Sequence, residues 1–280
     1  MAEQYNIIQM PVKKINGVNI YYELTGTKAD VLVLVHGSWG DHNNWQLVAG
    51  ELSKSFRVLI YDRRGHSQSE RLPEQGSVKE DIEDLIALVE YLGVSPAHIA
   101  GNSFGAAIAL KTAARRPDIF KTLIIHEPPL FDLLKDNEDA QKTLQMANSR
   151  VDAVLALMKK NEMTEATKLF METLGMGPGS WEKLTGKMQE TFIYNAPTWY
   201  DEMQDGESLS INLTPLAAFK KPALLSNGDK SPPFFPLVIE KINTTLPHAK
   251  RVVIEGAGHV PHLSHPEKYI EVVRNFCLSN

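Results

Sequence analysis

The chain predicts an α/β fold: a mostly parallel central β-sheet flanked by helices, with a helical insertion late in the sequence. Three observations carry this. Continuous β-branched apolar runs such as Val31-Leu32-Val33-Leu34-Val35 read as strands buried on both faces. Helix-period stripes alternate with them, as in Ile82, Leu85, Ile86, Val89 and Leu92. From Leu130 to about Pro215 strand-like runs vanish and helix-period segments take over.

The first element is a hairpin. Val12 to Ile15 and Val18 to Leu24 alternate apolar and polar around Asn16-Gly17, which places an antiparallel edge on the sheet. The run at 31–35 then ends in His36-Gly37-Ser38-Trp39-Gly40, a tight turn at the sheet's C-terminal edge. Trp45 to Leu52 reads as a short helix and Arg57 to Tyr61 as the next buried strand. Asp62-Arg63-Arg64-Gly65-His66-Ser67-Gln68-Ser69 reads as a charged surface turn locked by Asp62 and an arginine, with no ligand required. A helix over Val78 to Leu92 stops at Gly93, and Lys121 to Ile125 forms a further strand.

Between Gly93 and Lys121 lies the stretch that organises the chain. His98 to Arg116 runs from a short apolar approach through Gly101-Asn102-Ser103-Phe104-Gly105 into a small-residue helix. G-x-S-x-G between strand and helix predicts a nucleophile elbow, with Ser103 exposed on a strained turn. Gly101 and Gly105 let neighbouring backbone approach, and the helix start directs unpaired N–H groups at any negative charge formed there.

The late block reads as four helices, Asp139 to Ala147, Val151 to Lys160, Thr164 to Leu174 and Ser180 to Tyr194, broken by Gly175-Met176-Gly177-Pro178-Gly179. Its Met146, Met158, Met163, Met171, Phe170, Met188, Phe192 and Trp199 are read mainly as its own core, a few facing a pocket. The strand–helix rhythm resumes at Pro222 to Leu225, with a helix over about Phe235 to Leu246, a strand over Arg251 to Ile254 and a last helix over Pro266 to Leu278. The boundaries expected are 1–129 and 216–280 for the two parts of the core and 130–215 for a helical cap.

Composition limits the partners. In 280 residues, 43% hydrophobic and 22% charged, a formal charge of -5 is mild and spread out, which argues against nucleic acid. No apolar segment approaches membrane-spanning length, and no basic region followed by an apolar run opens the sequence. The single cysteine, Cys277, excludes an intrachain disulfide and suits a reducing compartment, so a cytoplasmic protein is expected. His and Cys clusters with metal-ligand spacing are missing, and neither metal nor organic cofactor is expected. The expected partner is a small molecule, and the chain a monomer or homodimer.

Taken together, H-G-S-W-G at 36–40, D-R-R-G-H-S-Q-S at 62–69, G-N-S-F-G at 101–105 and G-A-G-H at 256–259 resemble the α/β-hydrolase superfamily over essentially the full length. The resemblance implies Ser103 as nucleophile, His259 as the base that takes its proton, and an oxyanion hole of the Ser38 and Phe104 backbone N–H groups. The third member departs from the common pattern. The acid usually follows the strand near 222–226 as G-x-x-D, where this chain has Gly228-Asp229-Lys230-Ser231. Asp229 lies two residues early. The competing candidate is Glu127 in His126-Glu127-Pro128-Pro129, at the end of the strand after the elbow helix. Haloalkane dehalogenases and a zearalenone-lactone hydrolase group carry their acid at that strand end. Glu127 is favoured, because a carboxylate closing a buried run and followed by two stiffening prolines looks placed.

The activity implied is hydrolysis of a carboxylic ester or lactone of a small to medium apolar substrate through an acyl-enzyme. Haloalkane dehalogenases and epoxide hydrolases of this fold use an aspartate nucleophile, so Ser103 counts against both. Carbon–carbon bond hydrolases of the meta-cleavage type share G-N-S-F-G and form the alternative. A receptor-like member with weak hydrolysis is the reading from another class.

Overall fold

A computed structural model describes residues 12–73 and 76–280. Most of the opening stretch read for a targeting signal lies outside the described residues. Eight strands form one sheet: β1 Val12–Ile15, β2 Val18–Thr25, β3 Val31–Val35, β4 Arg57–Tyr61, β5 Ala97–Asn102, β6 Phe120–His126, β7 Ala223–Gly228 and β8 Lys250–Ile254. Their spatial order is β1-β2-β4-β3-β5-β6-β7-β8. The hairpin pairs antiparallel around Asn16-Gly17, both residues at positive φ, and β2 meets β4 antiparallel. Every other pairing is parallel, from Val31 beside Arg57 through Gly228 beside Ile254.

The helices are α1 Gln46–Leu52, α2 Val78–Tyr91, α3 Phe104–Arg115, α4 Glu138–Lys159, α5 Met163–Phe170, α6 Gly186–Gln204, α7 Leu213–Leu216, α8 Phe234–Thr245, α9 Pro261–Ser264 and α10 Pro266–Leu278. The continuous run of β3 has the meaning expected of it. Val31, Val33 and Val35 face a core built with α2, α3 and α8, while Leu32 and Leu34 face one built with α1 and α10. Helices therefore cover both faces, as a parallel sheet requires. The strand C-termini and the loops after β3, β5, β6 and β7 converge on one edge, where open parallel sheets place their ligands.

Three expectations change. The two helices read over 139–147 and 151–160 are one, α4, because Ala140, Leu144, Ala147, Val154 and Met158 continue a single stripe past Ser149-Arg150. The helix read as ending at Tyr194 runs on as α6 through Pro197 to Gln204. Proline removes a helical donor, and α6 is held across that point by the buried side chains of Asn195, Thr198 and Trp199. The 62–69 turn is no surface feature, since Asp62, Arg63, Arg64 and His66 are all buried. Asp62 accepts from His42 Nδ1 at 2.7 Å rather than from an arginine, and Arg64 pairs with Asp84 on α2 at 2.7 Å.

A third cluster of buried apolar residues belongs to the helical block between β6 and β7, with Val154, Met158, Ala166, Met171, Trp181, Phe192, Ala196 and Trp199. Trp39, from the loop after β3, joins it. The block is thus packed onto that loop. No helix among the described residues is long and apolar enough to cross a membrane.

Candidate active site

The elbow is built by close backbone contacts. A Cβ on Gly101 would come within 2.3 Å of the Gly105 carbonyl oxygen, and one on Gly105 within 2.1 Å of the Val35 carbonyl oxygen. Only glycine lets β5, β3 and α3 approach so closely. Between them Ser103 sits at φ 56 and ψ -125, a conformation most residues avoid. The neighbouring strand holds it there: Ser103 N–H donates to the His126 carbonyl at 2.9 Å. Phe104 opens α3, so its N–H has no acceptor within the helix.

Two further residues at the site share the strained backbone, Trp39 at φ 68 and Glu127 at φ 48. Glu127 turns out of β6 fully buried. Its Oε2 accepts the His259 Nδ1 proton at 2.7 Å, and its Oε1 accepts the Gly228 N–H at 2.8 Å. A carboxylate opposite Nδ1 requires the proton there, which leaves Nε2 free to accept another. Burial would raise the Glu127 carboxyl, but the His259 hydrogen bond and the nearby imidazoles bring it below its ordinary value. Ser231, where many α/β-hydrolases carry the acid, places a buried hydroxyl beside Glu127 without a hydrogen bond of ordinary geometry. Asp229 goes elsewhere, accepting the Gly256 N–H at 2.7 Å.

His259 is held from three sides. Besides Glu127, the Asn102 side-chain amide donates to its carbonyl at 2.8 Å, and the Phe235 ring stacks on the imidazole at 4.5 Å between centroids and 14° between planes. Ser103 and His259 face one cavity, together with Ser38 and Phe104. The Ser103 and His259 side chains both line this cavity, and no hydrogen bond joins them directly. All five residues read from the sequence, Ser38, Ser103, Phe104, Glu127 and His259, meet around this cavity and its rear wall.

The rest of the lining is mostly apolar, apart from Asn44, Asn102 and Asn148, and comes largely from the helical block. Phe170, Met171, Phe192 and Trp199 face the cavity, while Met158, Met163 and Met188 pack inside the block and Met146 is exposed. Trp39 lies 4.6 Å from Phe170 and 5.3 Å from Trp199, closing an aromatic wall. Sequence reasoning missed Trp39, Phe234 and Phe235 as lining residues. For Trp39 the signal was present, a bulky aromatic between the glycines of a tight loop. For Phe234-Phe235 there was none beyond their place at the start of a helix.

His36 braces its turn as expected, donating from Nδ1 to the Gly37 carbonyl and accepting the Arg63 N–H at Nε2. Burial and the Arg63 charge hold it well below its ordinary pKa. Asp41, His42 and Asp62 bring ligand atoms within 4.8 Å of one another. They are spent on each other and on backbone, with Asp41 capping the turn at His42–Trp45 and Asp62 accepting from His42 and Gln68.

The comparisons with known proteins agree with this geometry. The model of the alpha/beta hydrolase fold family matches residues 30–266, and the chain belongs to that family. It is similar to the uncharacterized hydrolase YraK of Bacillus subtilis (strain 168), 34% identical over 158 residues, which are 56% of this chain and 55% of that one. The match thus spans about half of that relative's length. It is 28% identical to a proline iminopeptidase of Clostridium botulinum over 92% of each chain. Among solved structures it is similar to an alpha/beta hydrolase from Sphaerobacter thermophilus, with a TM-score of 0.75, 26% identity and coverage of 95% and 99% of the two chains.

Proposed function

We propose that the protein is a serine hydrolase that cleaves a carboxylic ester or lactone of a small to medium apolar substrate. The observation that carries this reading is the juxtaposition of a strained, cavity-facing Ser103 with His259, whose Nδ1 is tied to the buried Glu127.

A serine hydroxyl is a poor nucleophile until a base accepts its proton. Here His259 Nε2 takes the proton as Ser103 Oγ attacks the carbonyl carbon, and Glu127 holds the ring and stabilises the imidazolium. The carbonyl oxygen becomes an oxyanion between the Ser38 and Phe104 N–H groups. Collapse breaks the bond to the alkoxy oxygen, which leaves with the proton from His259. Water, deprotonated by the same imidazole, then attacks the acyl-serine and releases the acid. The apolar wall of Trp39, Phe170, Phe192 and Trp199 favours an uncharged substrate body, and the helical block acts as the cap over it.

The test is to trap the intermediate. Acid quench of the enzyme with excess p-nitrophenyl ester should show the acyl mass on the peptide carrying Ser103, and none in Ser103→Ala. No acyl adduct and no ester turnover, with turnover of a coloured ring-fission dienol, would move the assignment to carbon–carbon bond hydrolysis.

A further inference from the structure

One face of α6 is fastened to the loops that frame the cavity. Asn195, Thr198, Trp199 and Glu202 recur at helical spacing and are all buried. Asn195 donates from Nδ2 to the carbonyls of Trp39 at 3.0 Å and Gly40 at 2.9 Å, and accepts the Ser67 N–H at 2.8 Å. Two turns further on, Glu202 Oε2 accepts the Ser38 hydroxyl at 2.5 Å, while Oε1 accepts from the Arg63 guanidinium. Arg63 is itself fully buried, also reaches Asp81 and His66, and lies 4.9 Å from the centroid of the Phe104 ring. One buried ion pair therefore touches both residues of the oxyanion hole: Ser38 through a hydrogen bond and Phe104 through its ring.

Burying such a pair adds little net stability, since desolvation offsets the attraction. Holding backbone donors in place is a different matter. An oxyanion donor acts only within about 2.7–3.1 Å of the developing charge, and the loss of one costs roughly a hundredfold or more in rate. The N–H of Ser38 lies on the loop after β3, where Asn195 holds the next two carbonyls, and a tether at Ser38's own side chain adds the one bond that acts at the donor residue itself.

We propose that Glu202 is a positioning residue for the oxyanion hole, tethering the Ser38 loop to α6 so that the hole is complete only when this helix is seated. The inference rests on the serine-hydrolase reading above. It goes beyond it by making the helical block part of the transition-state machinery as well as a wall of the substrate cavity.

The experiment is a double-mutant cycle of Ser38→Ala and Glu202→Ala, read by ester kinetics and by binding of a trifluoromethyl ketone. That ketone forms a tetrahedral oxyanion on Ser103, whereas the matching secondary alcohol does not. Each single variant should lose about tenfold or more in kcat with KM within about twofold, and the double variant should lose little beyond the worse single one. Ketone affinity should fall with kcat, and alcohol affinity should hold. Glu202→Ala takes from buried Arg63 the nearer of its two carboxylates, leaving Asp81 at 3.4 Å, and can fail to fold; Ser38→Ala keeps the ion pair and decides by itself. Wild-type kcat in Ser38→Ala, multiplicative losses in the cycle, or parallel loss of alcohol binding would overturn the proposal while leaving the hydrolase reading intact. Absence of Ser103-dependent turnover in the wild type would overturn both.

Discussion

His259 Nδ1 meets Glu127 Oε2 at 2.7 Å across 132 positions of sequence, and the carboxylate comes from the end of β6 rather than from the loop after β7. The two acidic candidates near this histidine thus divide the work. Glu127 orients the ring. Asp229 accepts the Gly256 N–H at 2.7 Å and so shapes the turn that carries His259. Gly228 links the two arrangements: its N–H donates to Glu127, and a Cβ there would come within 2.2 Å of the Ala257 carbonyl oxygen.

Elbow packing gives the first prediction. Gly105→Ala would drive a methyl group into the Val35 carbonyl at 2.1 Å, with backbone on both sides unable to yield. A loss of about 3 kcal/mol or more is expected, seen as a lower urea midpoint or failure to fold. Gly186→Ala, at the start of α6 with open space around it, should leave stability unchanged or raise it slightly. Equal midpoints for the two variants would contradict the packing described for the elbow.

The Phe235 ring covers one face of the His259 imidazole. Phe235→Leu retains most of the apolar volume but removes the flat surface that fixes the ring plane. Stability should change by less than about 1.5 kcal/mol, while ester kcat falls roughly fivefold through looser positioning of the base. A variant with wild-type kcat would show that Glu127 and Asn102 suffice to hold His259.

Acid stability follows from the buried histidines. Burial lowers His262 to about 3 and His126 to about 4 from the ordinary 6.5, the former packed between Trp45 and Tyr269. Depressed folded-state values mean that the unfolded chain binds more protons below pH 6.5. Their contribution to stability is therefore full above that pH and is lost as pH falls toward 4. His262→Phe should flatten the decline between pH 6.5 and 4 by about one proton, measured from urea midpoints across that range. An unchanged slope would mean that His262 titrates normally in the fold.

Local chemistry made much of this legible in advance. The Asn16-Gly17 hairpin, the β3 run and the G-x-S-x-G elbow are set by neighbours in sequence, and each stands where it was read. Glu127 could be singled out because a carboxylate closing an apolar strand before two prolines has few other reasons to be there. Longer-range features were closed to this approach. Nothing in D-R-R-G-H says that Arg63 will be buried against Glu202, which lies 139 residues on and enters only when α6 docks. The continuity of α4 and the passage of α6 through Pro197 were hidden for a related reason: tertiary packing outweighed the local break signals at both points.

The most direct test of the assignment is steady-state hydrolysis of a medium-chain p-nitrophenyl ester by the wild type, Ser103→Ala, Glu127→Gln and Asp229→Asn. Ser103→Ala should abolish turnover, Glu127→Gln should lower kcat by about a thousandfold, and Asp229→Asn should stay within about threefold of wild type. Near-normal turnover in Glu127→Gln with loss in Asp229→Asn would contradict the arrangement described, and turnover surviving in Ser103→Ala would remove the nucleophile on which it rests.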